Sequence, residues 1–166
     1  MLIAIVSDSH DNIPNIEKFL AWVNKNKIEL IIHCGDLAAP TIITEVLDPN
    51  FNGPIHFIHG NVADRELSEQ FAKESKHAIC HGDLGKLKID GKKIVFCHYP
   101  KQAEELAKTG KYDLVFYGHN HTPWEKQIGQ TRLLNPGTLA GMFNKATFAV
   151  YDTKTAKAQL ILLEKI

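Results

Sequence analysis

The chain has 166 residues, 44% of them apolar, which is enough to bury the core of one globular domain. Nineteen basic residues balance nineteen acidic ones, so the net charge does not supply the broad positive field that non-specific nucleic-acid binding needs. We therefore expect one domain over residues 1–166 and no extended nucleic acid as a partner.

The N-terminal apolar run spans only six residues, from Met1 to Val6, without a basic segment before it or a small-residue cleavage motif after it. It predicts a first β-strand rather than a signal peptide. No apolar stretch approaches the roughly 18 to 20 residues needed to cross a bilayer. The cysteines, Cys34, Cys80 and Cys97, form no CxxC pair and suit reduced, buried thiols. These features predict a cytoplasmic protein with no membrane partner.

Short apolar runs alternate with helical patterns through the first two-thirds of the chain. Apolar residues recur at helical spacing from Ile16 to Val23 behind Pro14, which suits the first turn of a helix. Weaker helical patterns cover residues 41–47, 65–71 and 102–108. The runs predicted to form buried strands are Leu2 to Val6, Leu30 to His33, Ile55 to His59, Ile94 to Cys97 and Leu114 to Tyr117.

Strand signals in the rest of the chain come in pairs. Alternation over residues 85–90, followed by Gly91-Lys92, predicts a hairpin. Two further hairpins are predicted, one from Glu125 to Ile128 and Thr131 to Leu134, the other from Ala146 to Tyr151 and Ala158 to Leu163. The order indicates an α/β half followed by a β-rich half. We predict an α/β fold, a four-layer α/β/β/α sandwich of two mixed β-sheets flanked by helices.

Polar residues follow directly after five of the predicted strands. The carboxyl ends of strands in open α/β sheets share one edge, where ligand sites lie. Two carboxylates, one carboxamide and four imidazoles suit Mn, Fe, Ni, Co or Zn. Seven ligands are too many for one tetrahedral zinc ion but suit two metals that share a bridge. The set consists of Asp8, His10, Asp36, Asn61, His98, His119 and His121.

Each of these residues has a purely structural interpretation when it is taken alone. An aspartate after a strand is often a helix N-cap or a turn residue. A lone histidine at a strand end is often a hydrogen-bonded structural group, and Asn61 after Gly60 would ordinarily be a turn. The coincidence of five strand ends is what favours a metal centre.

The succession of these motifs resembles the signature of the calcineurin-like metallophosphoesterases, whose blocks are D-x-H, G-D, G-N, an isolated His and G-H-x-H. The short chain and the late Asn135-Pro136-Gly137-Thr138 block resemble the small single-domain phosphodiesterases of bacteria and archaea within that superfamily. The resemblance covers residues 1 to about 152. The matching blocks are Asp8-Ser9-His10, Gly35-Asp36, Gly60-Asn61, His98 and Gly118-His119-Asn120-His121.

The resemblance implies two divalent metal ions, foremost Mn, with Ni, Fe, Zn and Co as alternatives. It assigns Asp8, His10 and His121 to one ion, and Asn61, His98 and His119 to the other. Asp36 would bridge the two, and a hydroxide held by both ions would attack phosphorus in line. Small relatives commonly form dimers or tetramers, so the resemblance also implies a homodimer or homotetramer.

Two departures from the family pattern affect the catalytic residues. Many relatives carry a His or Asp beside the metal-binding Asn, where it protonates the leaving group, but here Val62 follows Asn61. Asp64 is the nearest replacement, with the alternative that it caps a helix beginning near Arg65. Relatives also often read H-G-H, where the last His can contact the phosphate, but this chain has His98-Tyr99-Pro100 and lacks that second His.

Several other polar residues receive structural interpretations. His33 lies within an apolar run and suits a structural group or one that orients a ligand. His59 could also orient a ligand, although strand alternation points its side chain away from that of Asn61. His81-Gly82-Asp83 precedes a hairpin and predicts a turn. Arg65 suits an exposed helical residue, with a phosphate contact as the alternative.

The function predicted from these residues is that of a metal-dependent phosphoesterase, with a small phosphodiester as substrate and Asp36, His98 and Asn61 in the catalytic set. One alternative is a phosphomonoesterase. The other is a non-catalytic protein-interaction module, since a retromer subunit resembles this family but has lost metal ligands. Every ligand position is filled here, which favours the enzyme.

Overall fold

The computed structural model describes all residues from Met1 to Ile166. Its four α-helices are α1 (Ile13–Lys25), α2 (Asp48–Asn50), α3 (Arg65–Glu74) and α4 (Pro100–Lys108), and a π-helical turn (Ile43–Leu47) runs directly into α2. The strands are β1 (Leu2–Val6), β2 (Leu30–His33), β3 (Ile55–Phe57), β4 (Ala78–Cys80), β5 (Leu84–Ile89), β6 (Lys92–Cys97), β7 (Leu114–Phe116), β8 (Trp124–Ile128), β9 (Thr131–Asn135), β10 (Thr147–Asp152) and β11 (Lys157–Leu162). No helix is both long and apolar enough to pass through a membrane.

The strands form two mixed sheets. The first has the order β11-β10-β1-β2-β3-β4, and β1 to β4 run parallel to one another. The second has the order β5-β6-β7-β9-β8, with β6, β7 and β9 parallel and an antiparallel strand at each edge. This confirms the predicted architecture of two mixed sheets flanked by helices.

Side-chain alternation in β1 explains how the layers stack. Ala4 and Val6 pack in the cluster that includes the buried face of α1, whereas Ile3 and Ile5 pack in the cluster shared with the second sheet. Successive side chains of a strand point to opposite faces, so one strand contributes to both cores. Phe96 on β6 belongs to the cluster between the sheets.

The outer face of the second sheet is covered by α4. Ala103 and Ala107 of this helix are buried in a cluster with Val95 of β6 and Val115 of β7. Small residues on α4 let the helix lie close to the branched side chains of the sheet. The order of layers is therefore helix, sheet, sheet, helix.

The structure differs from the local predictions at several element boundaries and turns. Strand β3 ends at Phe57 rather than His59, because the amide of His59 donates to the carbonyl of Gly82 and not to β2. The turn between β5 and β6 is Asp90-Gly91 rather than Gly91-Lys92, since these two residues have φ angles of 48° and 79° and a type I′ turn needs positive φ at both central positions. Strand β4 was not predicted because its three residues form an edge with Ile79 exposed.

The last hairpin does not extend a separate β-rich half. Strand β10 pairs antiparallel with β1, so that Ile5 lies opposite Ala149. The chain thus returns to the first sheet after completing the second. The sequence predicted the two strands of this hairpin but not their place in a sheet, because strand signals in a sequence do not specify which sheet a hairpin joins.

Candidate metal centre

Five strands deliver the predicted ligands to one edge of the two sheets. The loops after β1, β2 and β3 are tied together by backbone hydrogen bonds, with the Asp8 amide donating to Gly35 at 3.0 Å and the Asp36 amide donating to His59 at 3.0 Å. The loops after β6 and β7 are joined in the same way, because the amide of Gly118 donates to the carbonyl of His98 at 3.1 Å. Parallel strands that end together bring ligands from distant parts of the sequence into one place.

Asp8, His10 and His121 form the first ligand group. The Nε2 atoms of His10 and His121 face each other at 3.3 Å. The Oδ1 atom of Asp8 lies 3.3 Å from His121 Nε2 and 3.8 Å from His10 Nε2. The three donor atoms therefore converge on a single point, as the ligands of one cation do.

Asn61, His98 and His119 form the second ligand group. The Oδ1 atom of Asn61 lies 3.0 Å from His98 Nε2 and 2.9 Å from His119 Nδ1. The two ring nitrogens are 3.3 Å apart. All three residues come from different strand ends, so only the fold brings them together.

Asp36 lies between the two groups. Its Oδ2 atom is 3.3 Å from His98 Nε2 and 3.9 Å from His10 Nε2. Its Oδ1 atom accepts hydrogen bonds from the amides of Asn61 at 2.7 Å and Val62 at 3.1 Å. These amides hold the carboxylate so that one oxygen points at histidines of both groups. Asp8 also approaches both groups. One donor atom each of Asp8, Asp36 and His98 lie within 4.8 Å of one another.

Backbone carbonyls orient two of the histidines. His98 Nδ1 lies 2.9 Å from the carbonyl of Cys34, and His121 Nδ1 lies 3.2 Å from that of Met142. A carbonyl can only accept a hydrogen bond, so each Nδ1 carries the proton. The Nε2 lone pairs are then free to face the centre, which is the usual arrangement for a histidine that binds metal.

The charges at the centre fit a cation. Burial would raise the pKa of Asp36, but the hydrogen bond and charge of His98 and the amides of Val62 and Asn61 outweigh it and lower the pKa to about 2. Burial raises the pKa of Asp8, and its Oδ1 atom is buried without a hydrogen-bond partner. An unpaired buried carboxylate oxygen is costly unless a cation faces it. The donor set therefore fits metal ions in both groups.

The backbone at the centre adopts strained conformations. Positive φ angles are uncommon for residues other than glycine and cluster at functional sites. Five of the seven candidate ligands have them: Asp8 (54°), His10 (40°), Asp36 (58°), His119 (74°) and His121 (55°). The surrounding sheets hold these residues in the conformations that aim their side chains at one point.

Glycines make room for the ligands. A Cβ atom on Gly60 would lie 2.2 Å from Asp36 Oδ1, and one on Gly35 would lie 2.6 Å from His98 Nδ1. A Cβ atom on Gly118 would lie 1.9 Å from Ser7 Oγ. The glycine that precedes each ligand in the G-D, G-N and G-H motifs is therefore required by close packing.

We expect Gly60→Ala to weaken both folding and metal binding. The residue has a φ of 83°, and the new methyl group would push against the carboxylate of Asp36. Gly129→Ala is a matched control, because Gly129 also has positive φ (58°) but nothing lies within 4 Å of its missing Cβ. The control should lose only about 1 kcal/mol of stability from the left-handed backbone. Denaturant unfolding and calorimetric Mn titration measure the two effects, and equal Mn affinities in both variants would contradict the prediction.

Asp64 lies at the start of α3 and not among the ligands. Its Oδ1 atom accepts a hydrogen bond from the amide of Leu67 at 3.1 Å, so the structure gives it the helix-capping role that was the alternative to a proton donor. Its side chain is exposed. Val62, which stands where many relatives have an acid, is also exposed.

The other histidines lie outside the centre. His33 contacts Ser9 Oγ through Nε2 at 3.0 Å and so supports the loop that carries Asp8 and His10. Burial lowers the pKa of His33 to about 3. His59 contacts Glu69 at 3.3 Å and does not join Asn61, as alternation predicted.

Two supporting residues had no assigned role in the sequence. The hydroxyl of Thr138 donates to the carbonyl of Asp8 at 2.9 Å, and the side-chain Nδ2 of Asn135 donates to the carbonyl of Gly118 at 3.1 Å. They brace the backbone on either side of the centre. Both residues belong to the Asn-Pro-Gly-Thr block that contributed to the family resemblance. The sequence did not show which residues this block contacts.

Two archaeal proteins are similar to this chain along most of its length. A phosphodiesterase of Methanocaldococcus jannaschii is 32% identical over 168 residues, covering 99% of this chain and all of that protein. A probable metallophosphoesterase of Methanothermobacter thermautotrophicus is 29% identical over 83% of this chain and 77% of its own length.

Solved structures are also similar to this protein. An archaeal phosphodiesterase superposes with a TM-score of 0.85 at 30% identity, over 98% of this chain and 99% of that one. Zinc-bound Vps29 of Entamoeba histolytica shares the fold, with a TM-score of 0.69 at 17% identity over 98% of this chain and 99% of its own. The family model of the calcineurin-like phosphoesterase superfamily domain matches residues 1–156. The chain therefore belongs to the calcineurin-like phosphoesterase superfamily.

Proposed function

We propose that this protein is a phosphodiesterase that uses two divalent metal ions to hydrolyse a small phosphodiester. The observation that carries the proposal is the pair of ligand groups with Asp36 between them. The phosphodiesterase relative that matches this chain over nearly its whole length supports a diester as substrate.

The residues divide into three roles. Asp8, His10 and His121 would hold one ion, and Asn61, His98 and His119 the other, with Asp36 bridging them. Two bound ions would polarise the phosphoryl oxygens and activate a water for in-line attack. Asn61 contributes a neutral oxygen, which adds no negative charge that would weaken this polarisation. Asp36, His98 and Asn61 thus form the catalytic set.

The donor set guides the choice of metal. Four imidazoles with two carboxylates favour Mn, Ni, Fe, Co or Zn over Ca and Mg, which prefer oxygen ligands. We propose Mn as the native ion. We also propose that the protein is cytoplasmic and forms a homodimer or homotetramer. Light scattering on the purified protein tests the oligomeric state.

A comparison of two nitrophenyl esters tests the proposed substrate class. Metal-free protein would be supplied in turn with Mn, Ni, Zn and Mg and assayed on bis(4-nitrophenyl) phosphate and 4-nitrophenyl phosphate. We expect a higher kcat/KM on the diester. A preference for the monoester would replace the proposal with a phosphomonoesterase, and inactivity with every metal, despite bound metal, would favour an interaction module.

Leaving-group dependence tests the role of Asp64. With Val62 unable to donate a proton, nitrophenyl diesters should be hydrolysed faster than alkyl diesters, since general acid catalysis is typically worth about 10² to 10⁴-fold and nitrophenolate needs little of it. If Asp64 is the acid, Asp64→Asn loses rate mainly on alkyl diesters.

Asparagine is the informative replacement because it is also a good N-cap. Asp64→Asn keeps an oxygen for the amide of Leu67, so stability should change little. Asp64→Ala is the control, and it should lose about 1 kcal/mol of stability with the cap. Equal alkyl-diester rates for Asp64→Asn and the wild type would eliminate Asp64 as the acid.

A further inference from the structure

The largest cleft of the molecule opens beside the metal centre. It has a volume of about 650 Å³, within the range of roughly 300 to 1,000 Å³ found for small-molecule sites. It reaches the second ligand group at His98 and continues along the start of α4. The lining residues are Gly60, Arg65, Asp83, His98, Tyr99, Lys101, Gln102 and Glu105.

The charges of the cleft balance one another. Arg65 and Lys101 are cationic, and Asp83 and Glu105 are anionic. Arg65 is also paired with Asp83, with Nη1 2.7 Å from Oδ1. A cleft without net charge does not select a second phosphate, but its many donors and acceptors suit a neutral polar group.

Tyr99 supplies the only phenyl-type ring in the lining, beside the imidazole of His98. Its ring lies 4.8 Å from the ring of His119 and 5.2 Å from that of His98, measured between centroids. Tyr99 is 43% exposed, so part of the residue remains available for contact. An aromatic wall directly beside a phosphate-binding centre is placed to stack on a flat ring attached to that phosphate.

We propose that this cleft binds one ester group of the substrate, and that this group is a nucleoside whose base stacks on Tyr99. The proposal rests on the proposed diesterase function and adds the substrate class. Aromatic contact comes from Tyr99, while Lys101 and Gln102 provide hydrogen-bond partners for the sugar or the base edge. A plain aryl group could stack on Tyr99 but would form no hydrogen bonds with Lys101 and Gln102.

Three diesters with the same leaving group test the proposal on Mn-loaded protein. They are thymidine 5′-(4-nitrophenyl phosphate), phenyl 4-nitrophenyl phosphate and methyl 4-nitrophenyl phosphate. We expect kcat/KM to be highest for the thymidine ester. Equal values for the thymidine and phenyl esters would overturn the assignment of a nucleoside, and equal values for all three would overturn the subsite.

Variants of Tyr99 assign the effect to the cleft. Stacking of a base on an aromatic side chain is worth about 5 to 150-fold in binding. In Tyr99→Ala, the ratio of thymidine to methyl ester kcat/KM should fall about tenfold, mainly through KM, while Tyr99→Phe keeps the ratio. Trp124→Ala is the control, because Trp124 is an exposed aromatic residue that does not line the cleft. An unchanged ratio in Tyr99→Ala would refute the proposal.

A binding measurement separates this inference from the proposed function. Calorimetry compares thymidine 5′-monophosphate with methyl phosphate on Mn-loaded protein, without any need for turnover. Tighter binding of the nucleotide that is lost in Tyr99→Ala supports the cleft even if no diester is hydrolysed, in which case only the diesterase function fails. Equal affinities in the wild type, alongside active diester hydrolysis, overturn the nucleoside subsite alone.

Discussion

Removal of metal with a chelator is expected to abolish diester hydrolysis, and Mn or Ni should restore it better than Ca. The four histidines provide nitrogen ligands that transition metals prefer, whereas Ca²⁺ takes oxygen ligands. Assays of bis(4-nitrophenyl) phosphate hydrolysis, together with elemental analysis of bound metal, measure the effect. Full activity in protein shown to be free of metal would contradict the two-metal proposal.

The same treatment should lower thermal stability. Without a cation, Asp8 Oδ1 is buried with no hydrogen-bond partner, and ring nitrogens of both groups face each other at 3.3 Å. A ligand at 100 times its Kd stabilises the folded state by about 2.7 kcal/mol, which for a chain of this size raises Tm by roughly 5 to 10 °C. Calorimetric scans with and without Mn test this independently of activity.

Asp36→Asn is expected to reduce turnover more than His10→Ala does. The Oδ2 atom of Asp36 faces His98 and His10, which belong to different ligand groups, whereas His10 belongs to one group only. Residues that merely orient a ligand typically contribute about 10 to 100-fold to affinity or activity. We therefore expect a loss of more than about 100-fold for Asp36→Asn, measured as kcat on bis(4-nitrophenyl) phosphate.

The choice of asparagine keeps the structural role of Asp36. The side-chain oxygen of the new asparagine can still accept hydrogen bonds from the backbone amides of Asn61 and Val62. Its NH₂ group would then occupy the position of Oδ2. The lone pair of an amide nitrogen is delocalised into the carbonyl group and does not bind a metal, so the proposed bridge would be lost while the fold is kept. Unchanged circular dichroism checks the fold. A near-native rate with two metals bound per chain would disprove the bridging role.

The sequence alone identified the parts of the fold that depend on local patterns. Strands β1 and β2 begin and end at the predicted residues, because each is a short apolar run followed by a polar segment. Helix α1 was predicted from the spacing of its buried face, and that face is Ile16, Phe19, Leu20 and Val23. These signals are local, since a strand buried on both faces or a helix with one buried face needs no knowledge of its partners.

The seven residues that the sequence predicted as metal ligands lie together in the structure. Their positions at strand ends were sufficient, because parallel strands end at one edge whatever their order in the sheet. The sequence did not show how these residues are arranged within the centre. The proximity of Asp8 to the second group, and the amides that fix Asp36, depend on distances that no spacing along the chain specifies.

Tertiary structure alone decided the remaining features. In the folded chain the last hairpin pairs with the first sheet, for example at Ile5 and Ala149. The His121 ring forms a hydrogen bond with the carbonyl of Met142. Tertiary structure also brought Arg65 and Tyr99 into one cleft. Each of these contacts joins residues about 20 to 145 positions apart along the chain. Such contacts form because the whole core packs in one way, so composition, periodicity and local motifs cannot determine them.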